Sequence, residues 1–288
     1  MASISVIIPA YNEAGCVCAV AERIKSFMVR EKLEHEIIVV NDCSTDGTSA
    51  EAKKAGVAVL SHCMNRGYGA SLTTGLKKAK YNHVLIIDAD ESYPVDDIKK
   101  LLPHIDDFDM VVGARQGKHY HGSPIKRLSR MIFYFLLGYV TGEKIPDANS
   151  GLRIFKKDVV MKFEDDFCSG FSFTTTITII LLSNRYLIKF VPIDYMPRTG
   201  KSKVRHLRDT ARTVQILLHT ITYYNPIKAF LPFSVASAAL GVIFTLMYVC
   251  GGGSPSLGLS AALSFFFTML FMGMGMLVYA IVKGSRSR

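Results

Sequence analysis

The chain has 288 residues, enough for one large α/β domain and a smaller second region, and its formal net charge is +10. Its Arg and Lys residues are concentrated between Lys118 and Arg212, which indicates an anionic partner such as a phosphate or an anionic bilayer surface. Helix-turn-helix and zinc-finger spacings are lacking, so nucleic acid is not an expected partner. The six cysteines include no Cys-x-x-Cys pair and are interpreted as reduced thiols rather than as disulfides or a zinc site.

The first half of the sequence alternates strand and helix patterns. Strands are predicted at 4–8, 36–40, 58–60, 84–87 and 110–112, and helices at 14–29, 48–55 and 70–79. This β-α-β-α order predicts a mostly parallel sheet covered by helices. Because the first strand starts at the fourth residue, no secretory signal peptide is expected.

Polar, turn-forming residues follow each of the first four predicted strands. They occupy 9–13, 41–47, 65–69 and 88–94. The carboxyl ends of parallel strands share one edge of the sheet, where open α/β folds bind their ligands. We therefore expect these four loops to surround one crevice.

Two acids one residue apart, Asp88 and Asp90, end the predicted strand 84–87. Carboxylate oxygens suit a hard divalent cation such as Mg²⁺ or Mn²⁺, which commonly takes its remaining ligands from water and substrate phosphates. Taken alone, the pair is also compatible with a strand-capping turn and solvated acids.

The end of the chain differs in kind from the rest. Two uncharged apolar runs, about 230–249 and 257–282, are each long enough to cross a bilayer core, and only an uncharged Gly-rich turn at 250–256 separates them. Basic residues precede the first run and follow the second, which by the positive-inside rule places the catalytic domain and both termini in the cytoplasm. A buried hairpin of a soluble protein is the less favoured alternative.

Two more segments have the basic, amphipathic pattern of helices that lie in the lipid headgroup layer, 124–140 and 206–225. For the first of them, a helix packed on the sheet is an equally good interpretation. The expected organisation is a catalytic domain at 1–203, an amphipathic juxtamembrane helix at 204–228 and a transmembrane hairpin at 229–288.

Three motifs occur in order: Val6 to Glu13, Val39 to Thr48, and Asp88-Ala89-Asp90. Together they resemble the family 2 glycosyltransferases, which have the GT-A fold. Further motifs, Gly113 to Arg115, Asp147 to Arg153 and Arg198 to Lys203, look like those of the polyprenyl-phosphate hexose transferases, a group that includes dolichol-phosphate mannose synthase. The resemblance implies a GT-A, Rossmann-like α/β domain with interfacial helices and a two-helix membrane anchor.

The resemblance also implies roles for individual residues. Asp88 and Asp90 would hold the divalent cation on the donor diphosphate, and Asp88 would also contact the donor. The nucleotide pocket would be formed by Pro9, Tyr11, Glu13 and Asp42, with Asp42 accepting a hydrogen bond from the base. The acceptor phosphate would be bound by Arg115, Arg127, Ser129, Arg130, Arg198 and Lys203, of which Arg115, Arg127 and Arg198 would take part in catalysis.

Some positions depart from the family pattern. Asn41 stands where the first acid of an Asp-Asp pair is usual, and Cys43 replaces a common Gly or Asp. A third metal ligand is in doubt, since Glu91 and Ser92 occupy the region where some relatives carry Gln. Arg153 is either a structural partner of Asp147 or a ligand.

The expected activity is an inverting, metal-dependent transfer of a hexose from GDP-mannose or a UDP-hexose to dolichyl or undecaprenyl phosphate. A phosphate monoester is largely dianionic at neutral pH, so this acceptor needs cationic side chains that position it rather than a general base.

One alternative is a processive polysaccharide-forming transferase, which usually has a Gln-x-x-Arg-Trp motif, whereas this chain contains no Trp. The other is a non-catalytic GT-A scaffold in the membrane. Relatives of this kind include tetramers, so a homo-oligomer is compatible with the resemblance.

Overall fold

The computed structural model describes residues 3–117, 124–167, 173–197 and 221–286. The chain divides into two compact units, 1–211 and 212–288. The expected segment at 204–228 lies largely outside the described residues, so the three-part division stays a prediction.

Seven strands form one sheet in the first unit, in the order β3-β2-β1-β4-β6-β5-β7. Their bounds are β1 Ser3–Ala10, β2 Glu34–Asn41, β3 Ala58–Ser61, β4 His83–Ile86, β5 Met110–Gln116, β6 Arg153–Lys156 and β7 Ile188–Asp194. Strands β3, β2, β1 and β4 are mutually parallel and are called the parallel half. Strands β6, β5 and β7 are called the mixed half, because β6 runs antiparallel to both β4 and β5 while β5 and β7 are parallel.

The five predicted strands and the mostly parallel sheet are confirmed. Strands β6 and β7 were not predicted from the sequence. Strand β6 has only four residues and starts on a buried arginine, Arg153, so it lacks the apolar run of a buried strand. Strand β7 contains Pro192, which is tolerated because β7 is the last strand of the sheet.

Helices cover both faces of the sheet. Those of the first unit are α1 Val17–Arg30, α2 Thr48–Lys54, α3 Tyr68–Lys78, α4 Ile98–Leu101, α5 Pro124–Thr141, α6 Lys157–Met161 and α7 Phe173–Ser183. Short 3-10 turns occur at Val95–Asp97, Leu102–His104 and Glu164–Asp166.

Alternate side chains of β1 divide the core into two layers. Ile4, Val6 and Ile8 pack in one cluster with buried residues of α1, while Ile7 packs on the opposite face with Leu72 of α3. The β1 side chains in both layers are buried, so the sheet is packed on both faces beneath its carboxyl edge.

Helix α5 coincides with the predicted segment 124–140. Leu137 is buried and Tyr134 contacts the domain, whereas Phe135 is 72% exposed and Met131 is 62% exposed. The helix therefore packs on the domain along one face and presents apolar side chains on another.

The second unit contains two long helices, α8 Pro226–Cys250 and α9 Pro255–Arg286. Both are long and apolar enough to cross a membrane, with mean hydropathies of 2.0 and 2.1. They contain the predicted spans 230–249 and 257–282. The Ser234 hydroxyl donates a 2.9 Å hydrogen bond to the Thr268 carbonyl, which ties the two helices together. Most of the predicted amphipathic segment 206–225 lies outside the described residues.

Candidate active site

The loops that follow β1 and β2 are joined by direct hydrogen bonds. The Ser44 hydroxyl accepts a 2.9 Å bond from the Asn12 backbone N–H, and the Asn12 side-chain oxygen accepts one of 2.8 Å from the Thr45 N–H. The Thr48 hydroxyl accepts from the Glu13 N–H at 2.8 Å. The two loops thus form one rigid rim at the carboxyl edge of the sheet.

Two predicted nucleotide-binding residues, Tyr11 and Glu13, are half-buried in this rim, and Pro9 is buried in β1 below it. The Cys16 thiol lies 3.4 Å from a carboxylate oxygen of Glu13. Burial and the Glu13 charge raise the pKa of the Cys16 thiol to about 12, so the thiol stays protonated at neutral pH.

The Asp42 carboxylate is buried at the end of β2 and holds the turn that precedes α3. One oxygen lies 2.8 Å from the Arg66 backbone N–H and 2.7 Å from the His62 ring, and the other accepts from the Gly67 N–H at 2.8 Å. A carboxylate has about four acceptor positions, so these contacts leave room for about one further donor. The base contact expected for Asp42 is compatible with that capacity.

Asp88 lies at the end of β4, where it contacts both α3 and the segment before β6. The Tyr68 hydroxyl donates a 2.9 Å hydrogen bond to the Asp88 carboxylate. Burial is the main reason that the pKa of Tyr68 is raised well above its usual value, so the phenol keeps its proton and acts as donor. The Asp88 carboxyl also rests on Gly151: a Cβ added there would lie 2.7 Å from the Asp88 Cγ.

Asp90 is 4% exposed and follows β4 at the same edge of the sheet. The backbone N–H of Ser92 donates to its carboxylate at 3.1 Å, and the Ser92 hydroxyl donates to the same oxygen. Glu91, at a positive φ of 60°, pairs with Arg23 of α1 at 3.0 Å. Of the two residues considered as a third metal ligand, Ser92 is thus bonded to Asp90 and Glu91 is bonded to Arg23.

The two acids provide a donor set that fits a hard divalent cation. Within the described part of the chain, no group of three or more His, Cys, Asp or Glu side chains is placed to hold a metal ion. Two carboxylates with water and substrate phosphates are an ordinary ligand set for Mg²⁺. The space that a side chain at Gly151 would fill is taken by the Asp88 carboxyl, so the backbone there is shaped to receive that acid.

Arg115, at the end of β5, is engaged by a buried acid. Its Nε and Nη2 donate to the two oxygens of Asp147 at 2.7 and 2.9 Å, and its backbone N–H donates at 3.1 Å. The Tyr134 hydroxyl of α5 donates to Asp147 at 3.0 Å. Burial alone would raise the pKa of Asp147, but the charge and hydrogen bonds of Arg115 outweigh it and hold the pKa below its usual value.

Arg153 is fully buried and is bonded to the chain itself. Its guanidinium donates to the backbone carbonyls of Ala148, Ser150 and Thr174 at 3.1, 2.6 and 3.0 Å, and to the Thr178 hydroxyl at 3.0 Å. Burial lowers its pKa to about 10, which still leaves it charged at neutral pH. Asp147 pairs with Arg115, and the hydrogen bonds of Arg153 join the 148–150 segment to the start of α7.

The other predicted acceptor-binding residues are described only in part. Arg127 and Ser129 lie on α5, but their side chains are outside the described residues, and Arg130 on the same helix is half-buried. Arg198 and Lys203 also lie outside the described residues.

Three residues that support the site were not singled out from the sequence: His62, Tyr68 and Gly151. His62 bridges Asp42 and the Thr74 hydroxyl, the latter at 2.9 Å. Tyr68 and Gly151 come from distant parts of the sequence and meet at Asp88. Their only sequence signal was membership in the 65–69 turn and the 147–153 motif, which does not reveal a contact to Asp88.

A family model, Glycosyl transferase family 2, matches residues 5–163. An uncharacterized protein of Methanocaldococcus jannaschii is 32% identical over 66% of this chain and 80% of its own length. A dolichyl-phosphate hexose transferase of Haloferax volcanii is 28% identical over 70% of this chain and 86% of its own length. The chain spans a smaller share of two other relatives, 61% and 48% of their own lengths.

Solved structures share the fold. Glucosyl-3-phosphoglycerate synthase from Mycobacterium tuberculosis, crystallised with Mn²⁺, UDP-glucose and phosphoglyceric acid, has a TM-score of 0.62. The two chains are 20% identical, and the match covers 76% of this chain and 80% of that one. At this level of identity the match establishes the architecture of the sheet and its helices.

Proposed function

Because the chain belongs to glycosyl transferase family 2 and is a glycosyltransferase, we propose that it moves a hexose from a nucleotide sugar to a polyprenyl phosphate. The observation that carries the proposal is the position of Asp88 and Asp90, at the same sheet edge as the interlocked loops after β1 and β2. The dolichyl-phosphate hexose transferase of Haloferax volcanii supports the choice of acceptor.

The donor would lie along the carboxyl edge of the parallel half. In this proposal the nucleoside contacts Pro9, Tyr11, Glu13 and Asp42, and the diphosphate lies near Asp88 and Asp90. The rim formed by the two joined loops is preorganised by its own hydrogen bonds, so little ordering would be needed when the donor binds.

Asp88 and Asp90 would hold the divalent cation, which offsets the negative charge that develops on the diphosphate as it leaves. Ser92 fixes the Asp90 carboxylate by two hydrogen bonds to one oxygen.

The reaction would be a single displacement with inversion. An oxygen of the lipid phosphate attacks the anomeric carbon, a new carbon–oxygen bond forms, and the old bond to the diphosphate breaks with its electron pair leaving on the nucleoside diphosphate. A dianionic phosphate carries no proton that must be removed, so no general base is required.

Arginine and lysine side chains would position the acceptor phosphate, since a guanidinium binds phosphate oxygens in a bidentate manner. Arg115, Arg127 and Arg198 are proposed for this role, with Ser129, Arg130 and Lys203 as further members. Arg115 is bonded to Asp147 through two of its nitrogens. Asp147 would fix the position of the Arg115 guanidinium, and the outer part of that group would contact the acceptor phosphate.

The acceptor lipid requires a membrane location, and α8 and α9 provide helices suited to it. Lys228 lies near the start of α8 and Lys283 near the end of α9, while the turn between the helices carries no charge. By the positive-inside rule the turn is external and the catalytic domain is cytoplasmic.

A transfer assay with the purified full-length protein tests this proposal. The protein is incubated with Mn²⁺, a short polyprenyl phosphate and a panel of GDP- and UDP-hexoses, and products are read by mass spectrometry. Polyprenyl-phosphate hexose is the expected product. Transfer to 3-phosphoglycerate alone, or growth of a polysaccharide, would replace the proposal with a different acceptor class. No turnover of any donor would favour a non-catalytic scaffold.

An Asp90→Asn variant tests the metal assignment. We expect at least a 100-fold loss of transfer, because the substitution removes one of two charged ligands. Asp96→Asn is the matched control, since Asp96 is 79% exposed and pairs with Arg30 on the surface. Activity of Asp90→Asn equal to that of the control would refute the assignment.

A further inference from the structure

We propose that Tyr68 and Gly151 are positioning residues that fix the Asp88 carboxylate for metal binding, one by a hydrogen bond and the other by leaving space. This inference deepens the proposed function and rests on its metal site. The two residues act on the same acid from different elements: Tyr68 is the first residue of α3, and Gly151 lies two residues before β6.

Tyr68 restrains the direction of the carboxylate. Its hydroxyl lies 2.9 Å from one Asp88 oxygen, and the ring packs against the core cluster that contains Leu72 and Leu76. The ring is partly buried and its contacts with the core restrain it, so the hydroxyl is directed at the Asp88 carboxylate. Hydrogen-bond partners of metal-binding carboxylates orient those ligands, and their loss typically weakens metal affinity.

Gly151 restrains the position of the same carboxylate from the other side. A Cβ at this residue would lie 2.7 Å from the Asp88 Cγ and 2.8 Å from its Oδ1, closer than atoms of real side chains approach. The Gly151 backbone is itself anchored, because its N–H donates a 2.7 Å hydrogen bond to the buried Tyr93 hydroxyl. A methyl group here must therefore displace the acid rather than the backbone.

The turn that carries Tyr68 also contacts the nucleotide loop. The backbone N–H groups of Arg66 and Gly67 bind the Asp42 carboxylate, and the next residue binds Asp88. Three consecutive residues thus link the acid assigned to the base with an acid assigned to the metal. Because of this linkage, we expect Tyr68 to influence donor binding as well as metal binding.

Mn²⁺ binding to the full-length protein, without donor, tests the inference by the loss of the free Mn²⁺ signal in electron paramagnetic resonance. We expect Tyr68→Phe to raise the apparent Kd for Mn²⁺ by about 10-fold. The matched control is Tyr81→Phe, because the Tyr81 hydroxyl also donates to a carboxylate, that of Glu34, at the opposite edge of the sheet. The control variant should bind Mn²⁺ as the unmodified protein does.

Gly151→Ala provides a second route to the same result, and we expect a larger rise in Kd because the acid itself must move. Its control is Gly75→Ala, where the added methyl would overlap the core side chain of Ile7 instead of an acid. Gly75→Ala should lower the melting temperature and leave Mn²⁺ affinity unchanged.

The transfer reaction separates positioning from a folding defect. If Tyr68 positions Asp88, excess Mn²⁺ should restore most of the kcat of Tyr68→Phe, whereas a misfolded variant would not recover.

Kd values for both Tyr68→Phe and Gly151→Ala within twofold of that of the unmodified protein would overturn the inference. Unchanged Mn²⁺ binding by Asp90→Asn would also overturn it. If Mn²⁺ binds as expected but no sugar is transferred, the proposed function fails while the positioning roles stand.

Discussion

The two halves of the sheet hold their charged side chains in different ways. In the parallel half, two of the acids at the carboxyl edge are held at least in part by backbone groups: Asp42 by the N–H groups of Arg66 and Gly67, and Asp90 by that of Ser92. The third, Asp88, accepts a hydrogen bond from the Tyr68 side chain. In the mixed half, the bases Arg115 and Arg153 are held by a buried carboxylate and by carbonyls. Acids at the donor edge therefore accept hydrogen bonds from backbone N–H groups, whereas the arginines beside it donate to a buried carboxylate and to backbone carbonyls.

This difference predicts how each half responds to the loss of one side chain. Backbone donors remain when a neighbouring side chain is replaced, so the parallel half should tolerate such losses. In the mixed half, Arg115 is held by the Asp147 side chain, and buried carbonyls accept hydrogen bonds from the Arg153 side chain. Replacing Asp147 or Arg153 therefore leaves buried polar groups without partners.

The largest effect is expected for Arg153→Met. This change leaves three buried carbonyls without their guanidinium donor and should destabilise the protein by about 5 kcal/mol. Thermal unfolding followed by circular dichroism measures it, because the chain contains no Trp for fluorescence. Arg30→Met, at a 59% exposed surface arginine, is the control. Equal melting temperatures for the two variants would contradict a structural role for Arg153.

A smaller effect, about 3 kcal/mol, is expected for Asp147→Asn, which keeps the shape but removes the charge that pairs with Arg115. Because the pKa of Asp147 is lower in the folded protein than its ordinary value of 3.8, the ionised acid stabilises the fold above that pH. The difference between the unmodified protein and the variant should be complete at neutral pH and shrink as the pH falls below 3.8. A difference that is constant down to pH ~2 would show that the ion pair is not its source.

The smallest effect is expected for His62→Gln in the parallel half, about 1 kcal/mol, since the Arg66 and Gly67 N–H groups still bind Asp42. Asp42→Asn in the same turn removes the charged acceptor of both N–H groups and should cost more. Melting temperatures of the two variants provide the comparison. If His62→Gln were as damaging as Asp147→Asn, the distinction between the two halves would be wrong.

Much of the parallel half was predictable because its signals are local. Apolar runs such as 84–87 predict strands, and polar residues after each strand predict the binding edge. The mixed half was harder to predict: β6 begins with a buried arginine, and α7 is rich in Thr and Ile, a composition more typical of strands. Tertiary burial, not local preference, decides that α7 is a helix.

The family, the positions of the first five strands along the chain, the paired acids and the two apolar helices could all be predicted from the sequence, because each depends on neighbouring residues or on a regular spacing. The folded structure was needed to show that Arg115 is bonded to Asp147, that Arg153 is buried among carbonyls, and that Tyr68 and Gly151 meet at Asp88. The contacts of Asp88 with Tyr68 and Gly151 and of Arg115 with Asp147 join residues 20, 63 and 32 positions apart. Arg153 bonds to the nearby Ala148 and Ser150 carbonyls and also to that of Thr174, 21 positions away. Such pairings follow from the way the strands are ordered in the sheet, and no periodicity along the chain encodes them.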